Sequence, residues 1–197
     1  MNILFVNGCL RGEESRTLRL CRAALAQLRE NFPTAEVTEL VLDEEEILPL
    51  NGQRLHQRHE LEKQEKFDDP IFRYAHQFAQ ADLILIGAPY WEFQFPAMVR
   101  CYLELISVCG VTFGYTEDGR PRGLCKADSL FYVTTAGGPI LHRNCGFDYI
   151  KTLCGDMLGF TRMDYTAAEC LDVIGVDVEA QLQGAEAQLR EKLQSWK

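Results

Sequence analysis

A chain of 197 residues with 47% apolar and 25% charged side chains is an ordinary globular mixture. It is long enough to bury a core without metal or disulfide staples and short for two domains, so one domain over residues 1–197 is expected. Twenty Lys and Arg against 29 Asp and Glu leave a formal charge of -9, which argues against a general nucleic-acid binder or a polybasic membrane anchor but not against a local anion pocket.

The opening MNILFV has no basic leader or cleavage site, and no run approaches the roughly 20 apolar residues of a spanning helix. A cytoplasmic chain without membrane insertion is the simplest expectation. ILFV at 3–6 predicts a strand covered on both faces, followed by a loop at 7–14. Leu18, Cys21, Leu25 and Leu28 share one face of a helix from Ser15 to Asn31, which Pro33 stops. EVTELVL at 36–42 reads as a second, more exposed strand.

Residues 43–69 are polar surface cover with room for a short helix, and Asp69–Pro70 starts another helix through about Ala79. DLILIGA at 82–88 is the sharpest central parallel strand. After the turn PYWEFQFP, a helix over 97–109 carries Met98, Cys101, Leu105 and Val108 as its stripe. A loop or hairpin, VTFGYTEDGRPRG, leads to a strand at 129–135 that ends in AGGP. A helix over 146–157 carries Phe147, Ile150, Cys154 and Met157, and the fifth strand lies at 161–167. The tail from Asp177 to Ser195 is a surface helix with Val178, Leu182, Ala185, Leu189 and Leu193 inward. Five strands alternating with helices predict a three-layer open α/β sheet with right-handed crossovers.

The eight cysteines form no CxxC pair and read as reduced small hydrophobes. His56 and His59 lack a matching cysteine pair, so no metal site is expected.

Ligands of open α/β sheets gather beyond the carboxyl ends of the strands. NGCLRGEESRT at 7–17 occupies such an end and enters a helix, whose free amides bind phosphate. Ser15 and Thr17 offer hydroxyls and Arg16 a charge; the alternative is a plain turn with Ser15 as helix cap. Neither GxGxxG nor a GKS or GKT ending is present. Cys9 to Arg16 is one residue too long for a CxxxxxR phosphatase loop. PYWEFQFP and TTAGGP stand at the next two strand ends. Trp91 and Phe93 could flank a flat heterocycle or pack a dimer contact, and Gly137 and Gly138 allow close approach of backbone amides.

APYWEFQFPAMVRCYLELI at 88–106, VTFGYTEDGRPRGL at 111–124 and TTAGG at 134–138 resemble the FMN-dependent NADH azoreductases and related NAD(P)H quinone reductases. NGCLRGEESRT supports the resemblance, and order and spacing agree across essentially the whole chain. The resemblance implies a flavodoxin-like fold, with five parallel strands in the order 2-1-3-4-5. It also implies a homodimer that uses FMN to pass two electrons from NADH or NADPH to a quinone, azo compound or similar aromatic acceptor.

By position, Cys9, Ser15, Arg16 and Thr17 resemble the residues around the FMN phosphate. Pro89, Tyr90, Trp91, Glu92 and Phe93 resemble the loop along the isoalloxazine, and Thr135, Ala136, Gly137 and Gly138 the loop at its polar edge. Tyr115, Ile140 and His142 fall where the substrate pocket is expected. The flavin carries the chemistry, so no catalytic side chain is assigned. The chain departs from the family at Cys9, often Ser; at Glu92, commonly Asn; and at Ile140, often His or Tyr. A one-electron flavodoxin-type carrier and a non-enzymatic FMN-binding regulator are the alternative readings.

Overall fold

The computed structural model describes residues 1–196. Five parallel strands form the sheet: β1 (Asn2–Asn7), β2 (Glu36–Val41), β3 (Leu83–Gly87), β6 (Ser129–Thr135) and β7 (Arg162–Ala168). Their spatial order is β2-β1-β3-β6-β7, which is 2-1-3-4-5 counted along the chain. A separate antiparallel pair, β4 (Phe113–Tyr115) and β5 (Pro121–Gly123), makes the hairpin foreseen after the third strand.

Side chains alternate across the sheet, and helices cover both faces because both are apolar. Ile3, Phe5, Leu83, Leu85, Phe131 and Val133 pack under α1 (Arg16–Asn31) and α6 (Val178–Gln194). Leu18, Cys21, Leu25 and Leu28 are the inward stripe of α1; Leu182, Ala185, Leu189 and Leu193 are that of α6. Leu4, Val6, Ile84, Ile86, Leu130 and Tyr132 face α3 (Arg73–Gln80), α4 (Ala97–Ile106) and α5 (Cys145–Thr152).

The polar segment 43–69 contains α2 (Gly52–Lys63), a helix with no buried residue. Arg58 anchors it. Its guanidinium pairs with Glu62 at 2.8 Å and donates to the carbonyls of Glu104 and Ser107, placing a cation at the carbonyl end of α4.

Two helices depart from the expectation. The fourth helix ends at Ile106, three residues early, and Thr112 Oγ1 donates to the Ile106 carbonyl at 2.7 Å. Of the expected stripe Leu105 and Val108 are buried and Met98 and Cys101 only partly covered, while the most deeply buried face of the helix is Val99, Tyr102, Leu103 and Ile106. The helix expected over 146–157 is α-helical only to Thr152 and widens to a π turn over Leu153–Met157. The eight cysteines are all free, as expected; Cys9, Cys21 and Cys154 are buried, and Cys109 and Cys145 are exposed.

Candidate functional site

From β1 the chain runs to β2 on one side and β3 on the other, which opens a crevice at the carboxyl ends of β1 and β3. The loop after β1 is pinned there: the Gly8 amide donates to the Gly87 carbonyl at 2.8 Å and the Cys9 amide to Asn7 Oδ1 at 3.0 Å. Ser15 then caps α1, its Oγ accepting from the Leu18 amide at 3.2 Å. The amides of Arg16 and Thr17 keep no intrahelical acceptor and carry the positive end of the helix dipole.

The other strand-end loops are tied together. The Tyr90 amide donates to the Thr135 carbonyl at 2.9 Å, joining the loop after β3 to the end of β6. Thr17 and Thr135 share a buried hydroxyl–hydroxyl bond of 2.6 Å. One shared bond uses one hydroxyl proton, so the second remains to donate elsewhere. The segment after β7 closes the side: the Asp172 amide donates to the Gly137 carbonyl at 2.9 Å, and Arg16 reaches Asp172 Oδ1 at 2.8 Å and the Leu171 carbonyl at 3.2 Å.

These loops enclose a cleft of about 150 Å³. It brings together Ser15, Arg16 and Thr17 from the first loop, Pro89, Tyr90 and Trp91 from the second, and Thr135, Ala136 and Gly137 from the third. Gly137 lies close against Asp172, where a Cβ would stand 2.4 Å from Oδ2 and displace that carboxylate; at Gly138 a Cβ would meet nothing within 4 Å.

The remaining residues singled out in the sequence stand outside the cleft lining. Cys9 is buried behind its loop. A hydrogen bond from the Cys21 thiol draws its pKa below the ordinary value, while burial pushes Cys21 well up. Glu92 and Phe93 form an exposed turn with φ of 49° and 70°. Gly138 and His142 are exposed, Ile140 is buried with its amide donating to Glu169 Oε2 at 2.7 Å, and Tyr115 is 60% exposed on the hairpin.

Leu10, Arg11, Glu14, Leu171 and Asp172 line the cleft without having been singled out as site residues. The strand-end rule, applied to the last strand as well, points to Leu171 and Asp172.

A doubly wound sheet with a helix-start cleft at its switch point defines a class, and comparison with known proteins gives its name. The model of the flavodoxin-like fold matches residues 1–193, and the chain belongs to that family. It is 34% identical over 183 residues to FMN-dependent NADH:quinone oxidoreductase 2 of Clostridium acetobutylicum, covering 90% of each chain. It is 33% identical over 178 residues to an FMN-dependent NADH:quinone oxidoreductase of Coprothermobacter proteolyticus, covering 88% of each. With such relatives along nearly its whole length, the chain is an enzyme of the oxidoreductase class.

The crystal structure of an azoreductase from Bacillus anthracis strain Sterne superposes with a TM-score of 0.85 at 24% identity, over 98% of both chains. An FMN-dependent NADH-azoreductase from Bacillus anthracis strain Ames Ancestor, solved in complex with FMN, gives 0.82 at 18% identity, over 98% of this chain and 97% of that one. At these identities the likeness is one of fold. No helix among the described residues is long and apolar enough to cross a membrane.

Proposed function

We propose that the chain is one FMN-binding unit that oxidises NADH or NADPH and reduces a quinone, azo compound or similar flat acceptor, in a cytoplasmic setting. The observation that carries this reading is the cleft at the start of α1, where two unbonded amides and the Ser15 cap stand opposite Tyr90 and Trp91. The donor set fits FMN. The amides of Arg16 and Thr17 suit its phosphate, Trp91 and Tyr90 offer aromatic surface to its ring, and the bare backbone at Gly137 admits its polar edge. Relatives covering about nine-tenths of the chain bear the names of FMN-dependent NADH:quinone oxidoreductases.

Bound FMN supplies two-electron hydride chemistry, taking hydride from a nicotinamide and delivering it to the acceptor. The protein binds, orients and shields. Thr17–Thr135 locks α1 to β6, so the phosphate end and the polar-edge loop keep a set separation. Tyr90 is held by its hydroxyl, which donates to the Arg143 carbonyl at 2.9 Å. One open side of the cleft serves donor and acceptor in turn, which is a ping-pong order.

Tyr115 lies outside the cleft lining of its own chain, so its proposed place at the acceptor face requires a second copy. The functional form is accordingly a homodimer. Glu92, Phe93, Gly138 and His142 stand on exposed loops after β3 and β6, where a second copy or the acceptor can reach them.

The test is the absorbance spectrum of the purified protein, followed by anaerobic addition of NADH and of NADPH. A flavin spectrum that bleaches with either nucleotide, and recovers on adding a quinone, is expected. A flavin that bleaches without turnover points to a carrier, and absence of flavin binding removes the reading. Parallel double-reciprocal lines with both substrates varied are expected for the ping-pong order; intersecting lines contradict it.

A further inference from the structure

We propose that Arg11, and not Arg16, is the cation that neutralises the cofactor phosphate, and that Arg16 with Asp172 is a neutral clasp that positions the cleft wall. This rests on the FMN reading above. Both arginines line the cleft, but their charges are committed differently. The Arg16 guanidinium is held 2.8 Å from Asp172 Oδ1 and 3.2 Å from the Leu171 carbonyl. Asp172 is in turn bonded through its amide to Gly137, and Leu171 is buried and bonded through its amide to the Ala136 carbonyl at 3.1 Å.

The clasp therefore runs from the start of α1, across the segment after β7, to the loop at 135–138. Its arginine charge is already offset. Both bonds use Nη1, so an incoming dianion at Arg16 would meet the Asp172 carboxylate together with the guanidinium, and the repulsion offsets the attraction. Arg11 opens the short 3-10 turn of the first loop, five and six residues before the free amides of Arg16 and Thr17. It is exposed, and among the described residues its side chain forms neither an ion pair nor a hydrogen bond. Glu14, the other carboxylate at the cleft, is not paired with it. A guanidinium without a protein partner can take two phosphate oxygens in its planar fork.

The test is isothermal titration of FMN and of riboflavin into the full chain freed of flavin, with folding checked by circular dichroism. The wild type is expected to prefer FMN. Arg11→Ala is expected to lose FMN affinity by about tenfold or more, with riboflavin unchanged, since a hydrogen bond to a charged group is at stake. Arg11→Lys should recover part of the loss. The double variant Arg16→Ala/Asp172→Ala removes the clasp without changing net charge. It should weaken both ligands by the same factor and keep the preference. An FMN preference that survives Arg11→Ala, or collapses in the double variant, overturns the assignment. Equal wild-type affinities for the two ligands remove the phosphate role and the assignment with it. A wild type that binds neither ligand fails the FMN reading itself.

Discussion

The tightest local geometry is the turn between Trp91 and Gln94. Each of these residues bonds the other's backbone, at 3.1 and 2.8 Å, and the two central residues both have positive φ. That is the mirror-image turn that favours Asn and Gly, yet Glu92 and Phe93 occupy it. Backbone strain of this kind gathers at functional sites. Glu92→Asn, which places a residue that adopts positive φ more readily, should raise stability by up to about 1 kcal/mol in urea unfolding. An unchanged midpoint would mean that the turn carries no strain at this residue. Gly137 and Gly138 separate at the same scale. Gly137→Ala drives a methyl group into Asp172 and should weaken flavin binding several-fold. Gly138→Ala meets open space and should leave binding unchanged in the same titration. Equal effects at the two positions would remove the close-approach argument.

Element positions depend on a few contacts between neighbours. The β4–β5 hairpin lies against the π turn through Gly123, where a Cβ would stand 2.1 Å from the Leu158 carbonyl oxygen. Gly123→Ala should separate the two and lower the melting temperature by several degrees, an overpacking cost of about 1–3 kcal/mol. A melting temperature within one degree of wild type would show that the hairpin yields freely.

Helices α1 and α6 are joined at their exposed edge by Arg19, which donates to Glu179 at 2.6 and 2.7 Å and to Glu186 at 2.8 Å. The hydrogen bond from Arg19 holds the Glu179 carboxyl at about 2, against an ordinary 4.5. A depressed carboxyl contributes stability above its unfolded pKa and loses it as pH falls through the folded one. The melting-temperature gap between wild type and Glu179→Gln should therefore be constant above about pH 5, shrink from pH 4.5 downward, and vanish near pH 2. A gap independent of pH would assign the effect to packing. The pair is solvent-exposed, so the gap should also narrow in high salt.

At the scale of the whole molecule, Trp91, Phe93, Tyr115 and Leu141 remain 43%, 51%, 60% and 68% exposed. Large exposed apolar side chains often mark association surfaces. Analytical ultracentrifugation over a concentration series should give twice the 22.4 kDa chain mass. Tyr115→Ala should keep FMN while raising the quinone KM several-fold, in line with the loss of one aromatic contact. A monomer with full activity, or unchanged kinetics in folded Tyr115→Ala, would remove the shared site.

The sequence by itself determined the layers and the strand-end loops. Continuous apolar runs such as ILFV and LILIG have no solvent-facing side, so they must lie between two helical layers, and helix stripes such as Leu18–Cys21–Leu25–Leu28 supply the cover. The residues at the cleft from 15–17, 89–91 and 135–137 follow from the same rule, because connections after parallel strands all emerge at one end of the sheet. Tertiary structure alone decided which side chains in those loops turn inward. Loop direction is set by long-range bonds such as Gly8 to Gly87, Tyr90 to Thr135 and Asp172 to Gly137, which have no period and no local propensity. The pairing of Arg16 with Asp172, 156 residues away, belongs to the same class, as does the shift of the α4 stripe to Val99, Tyr102 and Ile106. Local spacing reports which residues share a face; only packing against the rest of the chain selects the face that is buried.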